Sequence, residues 1–177
     1  MVVDRGEILA AKYGPRAREG STTYVSQNRD IDDMKIRTTI VCLPVRDPER
    51  TLGFYRNALG FSDAQIDDGI IALELPNLSL FLMEKDAFEN YSKKAGRGAG
   101  FPDDNTGMVI SCAMSTQEEV DTVLANVPEH GGAVPNKAAM DETSGGYIGY
   151  FSDPDGHLWE LVFPQPNPRS EHSETPK

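Results

Sequence analysis

The pattern of apolar and polar positions along the chain follows the same order of elements twice. In the first half, the β-rich run 36–45 predicts a strand. Leu52, Tyr55 and Leu59 then recur at helical spacing and predict an amphipathic helix. The strand patterns that complete this half lie at residues 69–75 and 78–83.

The ends of this first helix are also marked in the sequence. Asp47 is a typical N-cap residue, and Pro48 suits the first helical position because its missing N–H needs no partner there. Gly60 can adopt the left-handed conformation that ends many helices. The helix is therefore predicted to run from Pro48 to just before Gly60.

The second half repeats the order. A strand pattern at 108–114 precedes a helical stripe that contains Val120 and Leu124. Ser115 and Glu118 have the spacing of a capping box, in which each side chain bonds the backbone amide of the other residue. We therefore predict a second helix that begins at this box.

The strongest local signal is a hairpin near the end of the second half. Strand-forming residues at 147–152 and 157–163 flank the turn sequence Asp-Pro-Asp-Gly at 153–156, in which proline presets φ and glycine accepts a positive φ. The hairpin places a single carboxylate, Glu160, in the middle of an apolar strand. A charge at such a position usually has a partner or a function.

Each half thus predicts one β-α-β-β-β module, and the fold class is α+β. A sheet with a helix on one face needs a cover on the other. Two such modules can form a curved, cup-shaped mixed sheet with helices on the outside, and its concave face is a natural ligand site. The predicted organisation is a flexible arm at 1–34, modules at 35–85 and 106–163 joined by a linker at 86–105, and a disordered tail at 164–177.

Composition narrows the classes of function. The chain has 177 residues, 38% of them hydrophobic, and a formal net charge of −11. This charge argues against nucleic acid as a partner, because phosphate binding needs concentrated Lys and Arg. No apolar run has the length of a membrane span, so we expect no membrane partner. Cys42 and Cys112 both lie in predicted strands. We expect them to be buried, reduced thiols, and the protein to be cytoplasmic.

Four short motifs stand out along the two halves: Leu43-Pro-Val-Arg-Asp47, Gly53-Phe-Tyr55, Leu59-Gly-Phe61 and Gly149-Tyr-Phe-Ser-Asp-Pro-Asp-Gly-His-Leu-Trp-Glu160. Together they resemble the vicinal oxygen chelate superfamily, which includes glyoxalase I, bleomycin-resistance proteins and extradiol dioxygenases. Segments 81–88 and 115–121 look like its glyoxalase-like branch. The resemblance covers residues 35–163 and implies the fold described above. We also expect a homodimer.

The resemblance also implies where a metal would bind. Metal-dependent members hold the ion with four side chains, usually His, Gln or Glu, from the first and a later strand of each half. Here those positions are Ile40, residues 80–82, residues 108–110 and Glu160, and only Glu160 can ligate. We therefore expect no metal cofactor. Glu160 is the one weak candidate ligand. A divalent metal would need further donors, either from a partner chain or from Glu74 and Glu84 near the first-half hairpin.

The expected ligand-binding residues are Glu160, Tyr150, Cys42, Ile40 and Met108. Cys42 shares the inward parity of Ile40 in a regular strand. Tyr150 belongs to the hairpin, and Met108 offers a soft, adaptable lining. Two structural alternatives stay open: Cys42 as an ordinary core thiol, and Glu160 as the partner of an arginine.

The favoured function is the binding of a small organic molecule in an apolar cup without a family-type metal site. The first alternative is a metal-dependent lyase, isomerase or dioxygenase that acts on a small oxygen-bearing substrate. The second is a partner-binding module that uses the N-terminal arm. The sequence assigns no catalytic residue.

Overall fold

The computed structural model describes residues 38–76 and 78–164. The predicted arm and nearly all of the predicted tail lie outside these ranges. The elements along the chain are β1 (Ile40–Val45), α1 (Pro48–Leu59), β2 (Ile66–Asp67), β3 (Ile70–Leu75), β4 (Leu78–Glu84), α2 (Lys85–Ser92), a 3-10 turn (Lys93–Ala95), β5 (Val109–Ala113), α3 (Gln117–Glu129), β6 (Ala139–Met140), β7 (Tyr147–Ser152) and β8 (Leu158–Phe163).

These strands form two mixed sheets of four strands each, ordered β1-β4-β3-β2 and β5-β8-β7-β6. In both sheets the first strand runs parallel to the last, and the other pairs are antiparallel. The topology of the first sheet is therefore repeated in the second. This arrangement confirms the predicted α+β class and the two modules.

The first helix begins and ends as predicted. The carboxylate of Asp47 accepts hydrogen bonds from the backbone N–H groups of Glu49 and Arg50, each at 3.1 Å. Pro48 occupies the first turn, and Gly60 follows the helix with a φ of 77°. Local chemistry alone sets these two boundaries.

The predicted capping box of the second helix is wrong by one residue. Thr116, not Ser115, is the N-cap, and its hydroxyl accepts from the backbone N–H of Glu119 at 3.1 Å. The carboxylate of Glu119 accepts from the backbone N–H of Ser115 at 2.9 Å. Glu119 thus does what was expected of Glu118, because α3 begins one residue later in the chain.

A shared core joins the two modules. Tyr55 of α1 packs against Trp159 of β8, with ring centroids 5.9 Å apart, and Phe54 packs against Phe151 of β7 at 6.2 Å. Phe151 and Trp159 stack nearly parallel at 5.8 Å. The first helix therefore buries aromatic surface of the second sheet as well as its own.

We call the sheet face turned away from α1 and α3 the inner face. On the first sheet, the linker helix α2 packs on β1 and β4. Phe88 of α2 lines a cavity together with Cys42, an inner-face residue of β1. Phe81 and Met83, which lie on the inner face of β4, are buried although they stand outside the core between the helices.

The inner face of the second sheet is open by comparison. Val109 of β5 is 45% exposed and Tyr150 of β7 is 39% exposed, both unusual for large side chains on a sheet face. The two modules therefore share a topology and differ in what covers them. No helix within residues 38–76 and 78–164 is long and apolar enough to cross a membrane.

Candidate functional site

Glu160 lies near the centre of the open inner face. Strand register pairs it with Ser111 of β5 on one side and with Tyr150 of β7 on the other. The Ser111 hydroxyl donates to Oε2 of Glu160 at 2.5 Å, and the Tyr150 hydroxyl donates to Oε1 at 2.5 Å. Each carboxylate oxygen is thus held by one hydroxyl, so the orientation of the acid is set by its neighbours.

The local fold explains why these three side chains meet. Residues directly opposite each other on neighbouring strands project from the same face of a sheet. The tight turn between β7 and β8 sets the register of Tyr150 and Glu160. Gly156 in that turn has a φ of 93°, a conformation that glycine adopts without strain.

The hydroxyls of this site stay protonated at neutral pH. The hydrogen bond to Glu160 raises the pKa of Tyr150 above its ordinary value, and desolvation and the charge of Glu160 add to the effect. A phenol with a raised pKa remains a donor and is a poor source of a nucleophile. The site is accordingly a carboxylate with two neutral donors.

Such a carboxylate keeps accepting capacity for a ligand. Two carboxylate oxygens offer about four acceptor positions, and Ser111 and Tyr150 occupy two of them. Most of the surrounding inner-face residues are apolar. By strand parity these are Val109, Ile148, Leu158 and Val162, and Ser152 is a polar exception at the end of β7. The arrangement suits a molecule with an apolar body and an N–H or O–H donor.

The same positions in the first module are apolar. Cys42 and Ser111 both stand five residues before a helix N-cap, and their cross-strand partners are Phe81 and Glu160 respectively. Phe81 therefore replaces the carboxylate in the first sheet. Ile40, the expected first-strand position, pairs with Ser79 at the start of β4.

The donor set does not fit a family-type metal centre. Within the described part of the chain, no three His, Cys, Asp or Glu side chains gather closely enough to hold an ion. Glu160 contributes a carboxylate, but its sheet neighbours offer hydroxyls and hydrocarbon. A divalent cation in proteins needs three or more ligating side chains or an oxygen-rich shell. The absence of a metal cofactor stays a prediction.

The structure brings four of the five expected ligand residues together in two pairs and leaves Ile40 apart from both. Glu160 and Tyr150 meet on the inner face of the second sheet. Cys42 and Met108 line a cavity of about 230 Å³ where the two modules join. Ile40 lies on β1 and is not among the residues that line that cavity.

Sequence reasoning missed Ser111 as a partner of Glu160. A hydroxyl in an otherwise apolar strand was the available signal. It was not sufficient, because the register between β5 and β8 joins residues 49 positions apart. Among the described residues, no arginine forms an ion pair with Glu160. The hydroxyls of Ser111 and Tyr150 are its hydrogen-bond partners instead.

The hairpin turn also does more than reverse the chain. Asp155 is buried, and its carboxylate accepts from the backbone N–H of Arg46 at 2.8 Å and from the Thr51 hydroxyl at 2.7 Å. Asp153 is also buried and accepts from the Tyr55 hydroxyl at 2.8 Å. The turn of the second module is thereby bonded to the start of α1 in the first.

Burial controls the protonation of these groups. Desolvation raises the pKa of Asp153, and the charge of His157 and the Tyr55 hydrogen bond oppose that rise only in part. Burial also raises the pKa of Tyr55 well above its ordinary value, with the Asp153 charge adding to it. Asp153 and Tyr55 thus form a buried acid–phenol pair at the module junction.

Comparison with known proteins agrees with this geometry. A family model described as the Glyoxalase/Bleomycin resistance protein/Dioxygenase superfamily matches residues 37–161, which include both sheets except the last two residues of β8. No curated protein matches the chain.

Several solved structures share the fold. A hypothetical protein, SA1046 from S. aureus, is 27% identical with a TM-score of 0.62, over 73% of this chain and 95% of that one. A glyoxalase-related enzyme from Fulvimarina pelagi is 23% identical with a TM-score of 0.60, over 72% and 87%. The fosfomycin resistance protein FosX from Mesorhizobium loti is 16% identical with a TM-score of 0.51, over 77% and 98%. The second and third of these structures are less than 25% identical to this chain, so they show the fold alone. The family model, in contrast, matches most of the chain. The chain therefore belongs to the Glyoxalase/Bleomycin resistance protein/Dioxygenase superfamily.

Proposed function

We propose that this protein binds a small organic molecule on the inner face of the second sheet, with Glu160 as the polar contact and without a family-type metal centre. One observation carries the proposal: the Glu160 carboxylate is held by Ser111 and Tyr150 on an open, mostly apolar face. Such an acceptor is oriented before any ligand arrives. Preorganisation of this kind lowers the cost of binding.

The chemistry of the acceptor defines the ligand class. An ionised carboxylate accepts hydrogen bonds and repels anions, so the ligand should carry an N–H or O–H donor, and an ammonium group pairs best. The net charge of −11 also favours the approach of cations. We therefore propose an amphipathic amine, with its ammonium on Glu160 and its hydrocarbon on Val109 and Leu158.

The proposal includes a homodimer. Exposed Val109 and Tyr150 leave the second sheet with an apolar face that a second copy can cover, whereas α2 already packs on the first sheet. A partner laid over that face would turn it into a cup around Glu160. The proposed location is the cytoplasm, where thiols such as Cys42 and Cys112 stay reduced.

Thermal melts with a panel of aliphatic and aromatic amines test the binding. A ligand that binds only the folded state raises the melting temperature, and the rise grows with the ratio of the free ligand concentration to the Kd. We expect at least one amphipathic amine to raise it in the wild type and to lose about tenfold or more in affinity with Glu160→Gln, because the charge-assisted bond is removed.

Tyr147→Phe is the matched control for Tyr150→Phe. Both tyrosines lie on β7 and donate to an acid, but Tyr147 bonds Asp121 of α3 on the other face. Loss of amine binding in Tyr150→Phe with retention in Tyr147→Phe supports the site. Equal effects of the two substitutions, or no amine response in the wild type, would overturn the proposal.

The metal-dependent alternative needs donors beyond those that surround Glu160 in the described residues. A metal that copurifies stoichiometrically and is lost with Glu160→Ala would favour that alternative over amine binding. The proposal that the N-terminal arm binds a partner concerns residues outside the described ranges.

A further inference from the structure

Part of the linker between the modules borders the cavity at their junction. We call residues 98–107 the strap. Leu158 of β8 lines the same cavity and also belongs to the inner face beside Glu160, so the strap stands at the border of the proposed binding face. Four residues of the strap line the cavity: Gly100, Pro102, Thr106 and Gly107.

Little backbone structure holds the strap in place. None of its residues belongs to a helix or a strand, and most of them are exposed. Within the described ranges, no backbone–backbone hydrogen bond involves residues 98–105. Gly98, Gly100 and Gly107 have open space where a side chain would lie. A segment with exposed backbone and few packed contacts opens at a low cost in free energy.

One side chain of the strap makes a specific contact with the first module. Phe101 is half-buried, and the guanidinium carbon of Arg46 lies 3.9 Å from the centroid of its ring. Asp103 is 4.0 Å from the same guanidinium but 88% exposed, so this ion pair contributes little. A cation stacked on an exposed ring changes an opening equilibrium by about two- to fivefold. The stack is therefore the main contact that keeps the strap on Arg46.

Arg46 itself is held in place by the turn of the second module. Its backbone N–H donates to the Asp155 carboxylate at 2.8 Å, and its guanidinium donates to the Asp155 carbonyl oxygen at 3.1 Å. Pro102 rests on the same turn, because a Cβ added at Gly156 would lie 2.5 Å from the Pro102 carbonyl oxygen. The strap thus lies on a fixed surface, and it can move while that surface stays.

We propose that the strap is a lid over the junction cavity and that the stacking of Phe101 on Arg46 holds the lid closed. A contact of two- to fivefold strength holds a segment without locking it, as a lid that admits small molecules requires. The inference goes beyond the proposed function. Its tests use no amine, so the lid and the amine site can fail separately.

Limited digestion of the full chain with trypsin measures the opening. The exposed Arg97 directly precedes the strap, and the exposed Lys137 before β6 serves as the internal control site. Phe101→Leu keeps an apolar side chain but removes the aromatic face. We expect it to raise the cleavage rate after Arg97 by about two- to fivefold and to leave the rate after Lys137 unchanged.

Two further variants make the digestion specific. Phe101→Trp retains an aromatic face, so its cleavage rate after Arg97 should stay at the wild-type value. Asp104→Ala changes an exposed residue of the strap and should likewise alter neither rate. The proposal is wrong if Phe101→Leu leaves the rate after Arg97 unchanged, if both sites accelerate equally, or if Phe101→Trp behaves like Phe101→Leu.

Alkylation by iodoacetamide tests whether the strap covers the cavity. Cys42 lines the cavity, whereas Cys112 packs against the core. Loop motions are faster than alkylation, so the rate at Cys42 follows the fraction of open strap. Phe101→Leu should raise that rate by about two- to fivefold and leave the rate at Cys112 unchanged. An unchanged Cys42, or equal acceleration of both thiols, would overturn the assignment of the strap as a lid.

A measurement on the wild type needs no variant. Ring protons of Phe101 and the δ-methylene protons of Arg46 should show a nuclear Overhauser contact in NMR spectra, because the ring and the guanidinium are stacked. The absence of this contact in solution would refute the stacking and with it the proposed closure.

Discussion

The hydroxyl of Thr51 in α1 donates to the carboxylate of Asp155 in the β7–β8 turn at 2.7 Å, and both residues are buried. The bond joins the first helix to the last turn across 104 positions of sequence. Asp155 also accepts from the Arg46 backbone. A turn that looks local in the sequence thus holds the two modules together.

Asp155→Ala should lower the free energy of unfolding by about 2–4 kcal/mol, because it leaves two donors without an acceptor in a buried place. Urea unfolding followed by circular dichroism measures the loss. Asp103→Ala is the control: Asp103 is exposed and lies 4.0 Å from the Arg46 guanidinium, so its removal should cost less than about 0.5 kcal/mol. Similar losses for the two variants would contradict the assigned role of Asp155.

The buried Asp153 makes stability depend on pH with a defined sign. Burial raises its pKa above the ordinary value of 3.8, so the folded state binds the proton more tightly than the unfolded state. The resulting stabilisation is complete below pH 3.8 and is lost as the pH rises through the folded pKa.

Asp153→Asn removes that titration and still offers Tyr55 a hydrogen-bonding partner. The stability of this variant relative to wild type should therefore increase from acidic pH to neutral pH. Urea unfolding at a series of pH values gives the difference directly. A difference that is constant with pH, or that decreases towards neutrality, would show that the pKa of Asp153 is not raised.

Tyr150 should report the charge of Glu160 through its own titration. The bond to Glu160 is the main cause of the raised pKa of Tyr150, so Glu160→Gln should bring that pKa back towards 10.0. The bond to Asp121 likewise raises the pKa of Tyr147, which should not respond to the same substitution. Carbon NMR of the tyrosine rings between pH 8 and 12 distinguishes the two. An unchanged Tyr150 would mean that it does not bond Glu160 in solution.

Metal analysis of the purified protein tests the predicted lack of a family-type centre. We expect no stoichiometric metal, and unchanged melting temperatures with Ni²⁺, Zn²⁺, Mn²⁺ and Fe²⁺, because Ile40, Phe81 and Val109 offer no donors beside Glu160. A melting temperature raised by one of these ions in the wild type and not in Glu160→Ala would contradict the expectation.

Gly156→Ala should be strongly destabilising. The residue has a φ of 93°, and an added Cβ would lie 2.5 Å from the Pro102 carbonyl oxygen, a backbone atom that cannot rotate away. We expect a loss of about 2–4 kcal/mol from strain and overlap together. Gly53→Ala, in α1, meets nothing within 4 Å and should instead stabilise by about 0.5–1 kcal/mol. Thermal unfolding of the two variants should shift in opposite directions.

Local features were predictable because they depend on neighbours in the sequence. Asp47 and Gly60 bound a helix through their own side-chain and backbone chemistry, and the turn at 153–156 closes a hairpin for the same reason. The capping of α3 was misplaced by one residue. Ser115 and Thr116 both carry a hydroxyl that can cap a helix, so the local sequence pattern did not choose correctly between them.

Long-range features were not predictable in the same way. Strand alternation put Glu160 and Trp159 on opposite faces, but it did not reveal that Ser111 lies beside Glu160. In the sequence, Asp153 and Asp155 have the pattern of ordinary turn residues. They are buried because α1 packs against the turn and its Tyr55 and Thr51 donate hydrogen bonds to them.

The sequence by itself determined the two β-α-β-β-β modules and the single carboxylate among apolar strand positions, because periodicity, caps and turns act over a few residues. The tertiary structure alone decided that α2 packs on one sheet, that the other stays open, and that His157 is bonded across the module junction. The physical reason is that register and packing join residues about 50 to 110 positions apart, whose proximity no local pattern encodes.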